Sequence, residues 1–173
     1  MTPVAAAWRG RCAAGLILFV FSACTTIHRS APSPPDAGRL PPFRVPAPVA
    51  IVNSQTSSTD VVLPLRGVDV TVNYRDYTAS AIALLRRELD SRATAGSTAT
   101  RKEIRLAIVD LRIMAIPQMR CIVNFTVETG DGYTRGHETM ATNWNFGAAI
   151  DAAISNVVVA VLNDEQVIAY LEK

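Results

Sequence analysis

The sequence predicts an α+β domain: an antiparallel β-sheet of about four strands, two main helices packed on one face, and a short C-terminal helix. Three observations carry this expectation. Met119 to Thr129 alternates, with Cys121, Val123, Phe125 and Val127 set against Ile122, Asn124, Thr126 and Glu128. It runs into Gly130-Asp131-Gly132, residues suited to the positive-φ positions of a tight hairpin. Two further stretches have helical spacing. Tyr74 to about Ala93 places Thr78, Ala81, Ile82, Leu85 and Leu89 three and four apart, and Phe146 to Leu162 does the same with Ile150, Ile154, Val157, Val158 and Val161.

Taken in order, the chain divides into residues 1–23, residues 24–48 and a domain over residues 49–173. The first part begins with a charged region at Arg9 and Arg11. An apolar run from Ala13 to Ala23 follows, and the small residues Ser22 and Ala23 precede Cys24. The run is shorter than the ~20 residues that a permanent membrane helix requires. Its form is that of a cleaved export signal. The Ser22-Ala23-Cys24 ending resembles the lipobox of a bacterial lipoprotein, with Phe21 where Leu is usual. That resemblance implies a diacylglyceryl group on the Cys24 thiol, cleavage before Cys24, and acylation of the new amine. One acyl chain binds a membrane only marginally, and several hold it firmly. Thr25, rather than Asp, follows the cysteine, which by the same resemblance implies sorting to the outer membrane, facing the periplasm. The alternative is an ordinary secretory signal cut nearby, with Cys24 incidental.

Residues 25–48 read as a tether. Seven prolines lie between Ala31 and Pro48. Such a segment favours extended polyproline II and, at ~3.1 Å per residue, its 18 residues would reach ~55 Å. A proline-rich ligand for another protein is the alternative reading. The domain then opens with a short strand, Val49–Asn53. An extended piece over Val61–Leu65 is broken at Pro64, and a half-buried strand over Gly67–Asn73 leads into the first helix. Arg75, Arg86, Arg87 and Arg92 fall mainly off that helix's apolar stripe, which suits a solvated face better than an anion site. Thr94 to Thr100 is a polar loop. Lys102 to Ala115 is a long strand whose apolar phase flips near Val109 and Asp110, the mark of a β-bulge or a change of face. Tyr133 to Thr142 returns from the hairpin as a more polar strand. Asn143 or Asn145 can cap the second helix, and Asn163 or Asp164 a short last one with Val167, Ile168 and Leu171 packing back. The second helix carries only Asp151 as a charge, so it belongs against a sheet; Asp151, Ser155 and Asn156 interrupt it too often for a membrane span.

Charge and cysteine usage narrow the function classes. The chain holds 17 Lys and Arg against 15 Asp and Glu. Without Arg9 and Arg11 the mature chain has 15 of each, which offers no electrostatic case for nucleic acid. Of three cysteines, Cys12 leaves with the signal and Cys24 is the lipid carrier, so Cys121 alone keeps a thiol and no internal disulfide is expected. Its alternating run places it in the core, as a small hydrophobe.

No catalytic, metal or cofactor motif is legible. Gly130 to Gly136 has the wrong spacing for a phosphate loop, and a strand follows where a helix N-terminus is needed. His137-Glu138 lacks the second His of a zinc-protease helix, and His28 and His137 are too few for a metal centre.

The order of elements, and the ending A-I-S-N-V-V-V-A-V-L-N-D-E-Q-V-I-A-Y-L, resemble the small bacterial lipoproteins of the YajG-like kind. Val158, Leu162, Asp164, Val167 and Leu171 sit where that family shows an apolar helix, an acidic break and a closing helix. The resemblance spans residues 49 to 171 and implies no firm activity. The expected function is a membrane-anchored, non-catalytic binding or assembly factor of the cell envelope with a protein partner. The alternatives are an envelope hydrolase with an unrecognised acid site, in which acids or His137 beside Glu138 or Asp131 would act, or a carrier of a lipid or other apolar ligand.

Overall fold

Strand β1 (Cys24–Ile27) is the first element of this computed structural model, which describes residues 24–65, 67–94, 100–115 and 117–173. The expected signal, residues 1–23, lies outside the described residues, as does most of the Thr94–Thr100 loop. After β1 come β2 (Val49–Asn53), β3 (Asp60–Leu65), β4 (Val68–Asn73), α1 (Tyr74–Asp90) and β5 (Lys102–Ala115). They are followed by β6 (Met119–Thr129), β7 (Thr134–Asn143), α2 (Phe146–Leu162) and α3 (Glu165–Glu172). Local chemistry accounts for the boundaries. Asn73, Asn145 and Asp164 each cap the helix that follows by accepting from backbone N–H groups of its first turn. The five apolar-stripe residues of α1 are buried, as is the whole Ile150–Val161 stripe of α2. The phase flip in β5 is a bulge: pairing with β6 shifts between Ile108 and Asp110, and the extra residue, Val109, is turned outward.

The sheet architecture corrects the expectation of one antiparallel sheet of about four strands with both helices on one face. There are two sheets, one of three strands in the order β1-β4-β3 and one of four in the order β2-β5-β6-β7. Both are mixed, because β1 runs parallel to β4 and β2 parallel to β5. The β3–β4, β5–β6 and β6–β7 pairs are antiparallel. Parallel neighbours require a crossover, and here β3, β4 and α1 carry the chain from β2 back to β5 in the same direction. The helices contact different elements: α1 meets β2, β5 and α2, while α2 lies against β6 and β7. Pro64 is tolerated because β3 is an edge strand of its sheet.

Two glycines at the β6–β7 turn have different tasks. Gly132 supplies positive φ, at 93°. Gly130 supplies space, since a Cβ there would stand 2.7 Å from the Tyr170 hydroxyl of α3. That hydroxyl accepts from the Glu103 N–H at 2.9 Å, and Lys102 Nζ donates to the Leu171 carbonyl at 2.7 Å. The terminal helix is thereby fastened to the start of β5.

Candidate functional site

The proline-rich segment, expected as a free tether, is instead laid along the domain as a strap. His28 is the first residue beyond β1, and its Nδ1 lies 2.9 Å from the Tyr77 hydroxyl, which donates to the His28 carbonyl at 3.3 Å. Its ring meets that of Phe146 edge-on, with centroids 6.0 Å apart. Gly147 makes room for it: a Cβ at that position would come within 3.0 Å of His28 Nε2. Asp151, the lone charge of α2, accepts from the Ala31 N–H at 3.0 Å and the Ser30 hydroxyl at 3.2 Å. Further along, Arg39 donates to Asn156, and Asn163 donates to the Arg39 carbonyl. Arg92 donates to the Pro41 carbonyl at 2.7 Å and lies over the Phe43 ring at 4.6 Å. Val45 forms a parallel bridge with Ala93. Phe43, Val45 and Ala47 are buried. The physical reason is visible in retrospect. These three alternate with Arg44, Pro46 and Pro48, a strand period that the surrounding prolines disguise.

The strap and the three-stranded sheet enclose a surface cleft of about 460 Å³, lined among others by Ile27, His28, Asp60, Asn73, Asp76 and Tyr77. Tyr77 is fully buried, and burial, followed by nearby Asp151, pushes its phenol pKa well above the ordinary value. At neutral pH it is therefore a fixed hydroxyl donor, not a base. Asp60 and Asn73 bond to each other, and Asn73 also caps α1. These side chains are engaged in holding β1, β4 and α1 together.

Asp131, His137 and Glu138, the residues on which a hydrolase would rest, do not converge. Asp131 sits at the hairpin, where it accepts from the Thr129 hydroxyl. Glu138 is exposed and pairs with Arg112 at 3.1 Å. His137 instead points inward and stacks on Phe125, with centroids 5.2 Å apart. Its Nε2 stands 3.1 Å from Asp164 Oδ2, though out of the alignment of a hydrogen bond. Asp164 is the residue that sequence reasoning saw only as a cap. Its buried carboxylate also accepts from the Tyr133 hydroxyl at 2.9 Å and lies 3.6 Å from Arg135. Burial lowers the His137 pKa, outweighing the attraction of Asp164. Burial also opposes ionisation of Asp164, but the Tyr133 bond, the cap bonds and His137 together hold its carboxyl below the ordinary range. This cluster fastens β7 to the start of α3. Cys121 is fully buried, and burial pushes its thiol up to about 12. No group of three or more His, Cys, Asp or Glu side chains is placed to hold a metal among the described residues. Of the arginines, Arg75, Arg86 and Arg87 are exposed, and Arg92 serves the strap.

Cys24, the expected lipid carrier, is the first residue of β1 and pairs with Val68. No single helix among the described residues is long and apolar enough to cross a membrane. No family model matches the chain, and no curated protein matches it. Among solved structures it is similar to protein XCC0632 from Xanthomonas campestris, described as DUF330, at a TM-score of 0.49 and 9% identity over 81% of this chain and 93% of the other.

Proposed function

We propose that the protein is a lipoprotein held to the outer membrane by acyl chains on Cys24, facing the periplasm, and that it acts there as a non-catalytic binding or assembly factor for another envelope protein. The anchoring half rests on the Arg9–Cys24 stretch, and the likeness of the C-terminal pattern to YajG-like lipoproteins agrees with it. The binding half rests on β7. This ten-residue strand is an edge of the four-stranded sheet, with no strand beyond it among the described residues. Such an edge can accept a partner strand through main-chain hydrogen bonds. One of its carbonyls, that of Met140, is taken by Asn156 of α2 at 2.8 Å. Met140, Met114 and Val109 are exposed on the sheet. A long reach forms no part of this reading, because residues 28–48 lie on the domain.

The anchor is tested by palmitate labelling, which should vanish in Cys24→Ala while unprocessed precursor accumulates; undiminished labelling refutes it. The partner is tested by placing a photo-crosslinking residue at Glu138 or Met140 in cells. A discrete adduct with an envelope protein is expected. Adducts from neither site, alongside adducts from the α1 surface at Arg86, would refute β7 as the binding edge.

A further inference from the structure

We infer that the outer face of the three-stranded sheet is the surface that meets the bilayer, so that the domain rests on the membrane and does not stand off from it. The inference builds on acylation of Cys24. Its first support is the position of that residue. Cys24 begins β1 and pairs with Val68, which in turn pairs with Leu65 of β3. No spacer separates the anchored residue from the fold, and the prolines that would have supplied one come after β1 and are folded onto the domain. An acyl chain on the amine of residue 24 continues the line of β1 out of the sheet, at the end where the connection between β3 and β4 lies.

The second support is the composition of the face. Register places Ile27, Thr71 and Val62 in one row across the three strands. In the next row toward the anchor, Pro64 faces Asp69. Ile27 is 72% exposed and Val62 56%, and Pro64 is exposed as well. The alternate residues Val70, Val72 and Leu65 face the core and are buried. An antiparallel pair with one wet face normally shows polar residues there, yet the two strands flanking β4, about 10 Å apart, each present a bare aliphatic side chain. Exposed aliphatic side chains of this kind favour the boundary between headgroups and acyl chains. Asp60 and Asp69 lie on the same face, and Arg29 lines the adjoining cleft. The carboxylates disfavour a densely anionic surface, so the fitting occupant is a zwitterionic phospholipid layer.

The native tryptophan sits close to the end of β1. β1 leads from Cys24 to His28, whose ring packs against Phe146, two residues beyond Trp144. Trp144 is 74% exposed. Of the chain's two tryptophans the other, Trp8, departs with the expected signal, so Trp144 is replaced by Phe in each reporter variant.

The test uses acylated mature protein reconstituted into phosphatidylcholine vesicles with plain or brominated acyl chains, after intact mass has shown whether Cys24 carries lipid. In Trp144→Phe with Glu172→Trp, a reporter on the exposed end of α3, fluorescence should be nearly the same in both lipids. In Trp144→Phe with Val62→Trp, bromine should quench the new tryptophan several-fold more strongly, and Trp144→Phe with Ile27→Trp gives an independent second reporter. Acylated protein whose reporters at 62 and 27 are quenched no more than the one at 172 overturns the inference and leaves the anchor standing. Absence of lipid from Cys24 overturns both.

Discussion

Replacing Val45 with Ala separates a strap from a tether more cleanly than any deletion. Val45 is 1% exposed, and its backbone is fixed on both sides: its N–H donates to the Arg92 carbonyl at 3.1 Å, and its carbonyl accepts from Thr94 N–H at 3.0 Å. The substitution removes two carbons and leaves those bonds in place. At ~0.8 kcal/mol per buried CH2 the transfer loss is ~1.6 kcal/mol. A residual cavity adds to this, for a total of about 2–3 kcal/mol. Phe43→Ala should cost more, about 3–5 kcal/mol, because it also removes the ring beneath Arg92. In a domain of this size each kcal/mol corresponds to about 2–4 °C, so Val45→Ala should lower Tm by about 4–12 °C. The assay is urea and thermal unfolding by circular dichroism, with Pro42→Ala as an exposed control from the same segment. If residues 28–48 were a free spacer, all three substitutions would fall within about 0.5 kcal/mol of wild type. That result would refute the packed strap and restore a domain held away from its anchor.

Three further outcomes are expected. Ile154 is fully buried mid-stripe on α2, so Ile154→Ala should cost about 2–5 kcal/mol, a large share of the ~5–15 kcal/mol typical of a domain, and an unchanged melt would show α2 to be peripheral. Stability should fall with acid in two stages. The depressed His137 pKa means that its contribution is lost as pH drops below the ordinary 6.5 towards the folded value, and the depressed Asp164 pKa means a second loss as pH drops below the ordinary 3.8. Chemical denaturation across pH should therefore show the upper limb flattened in His137→Gln, and an undiminished limb would remove His137 as its source. Cys121 in the native domain should resist a thiol reagent until the protein unfolds, and rapid modification under native conditions would contradict its burial and its raised pKa.

The sequence by itself determined what short-range spacing can encode. The limits of β6 and α2, an irregularity near Val109 and Asp110, caps narrowed to Asn143 or Asn145 and to Asn163 or Asp164, and the core position of Cys121 all follow from periods of two or 3.6 residues and from side chains that reach only their own backbone. The tertiary structure decided which elements meet. Nothing in Val49–Asn53 states that it pairs parallel with Lys102–Ala115, because that choice belongs to a crossover some fifty residues long. Nothing in Cys24–Ile27 announces a strand, because its partner, β4, lies more than forty residues away. The strap shows the same limit from the other side. Its prolines describe a backbone that is extended, which is correct, but whether an extended chain floats or packs depends on the surface beside it. Here Arg92, Asp151 and Tyr77, drawn from two helices and a loop, supply that surface. His137 and Glu138 are adjacent in sequence and point to opposite faces of one strand, whereas His137 and Asp164 are far apart and touch. Burial of such a contact is a property of the folded solvent boundary, and no local pattern records it.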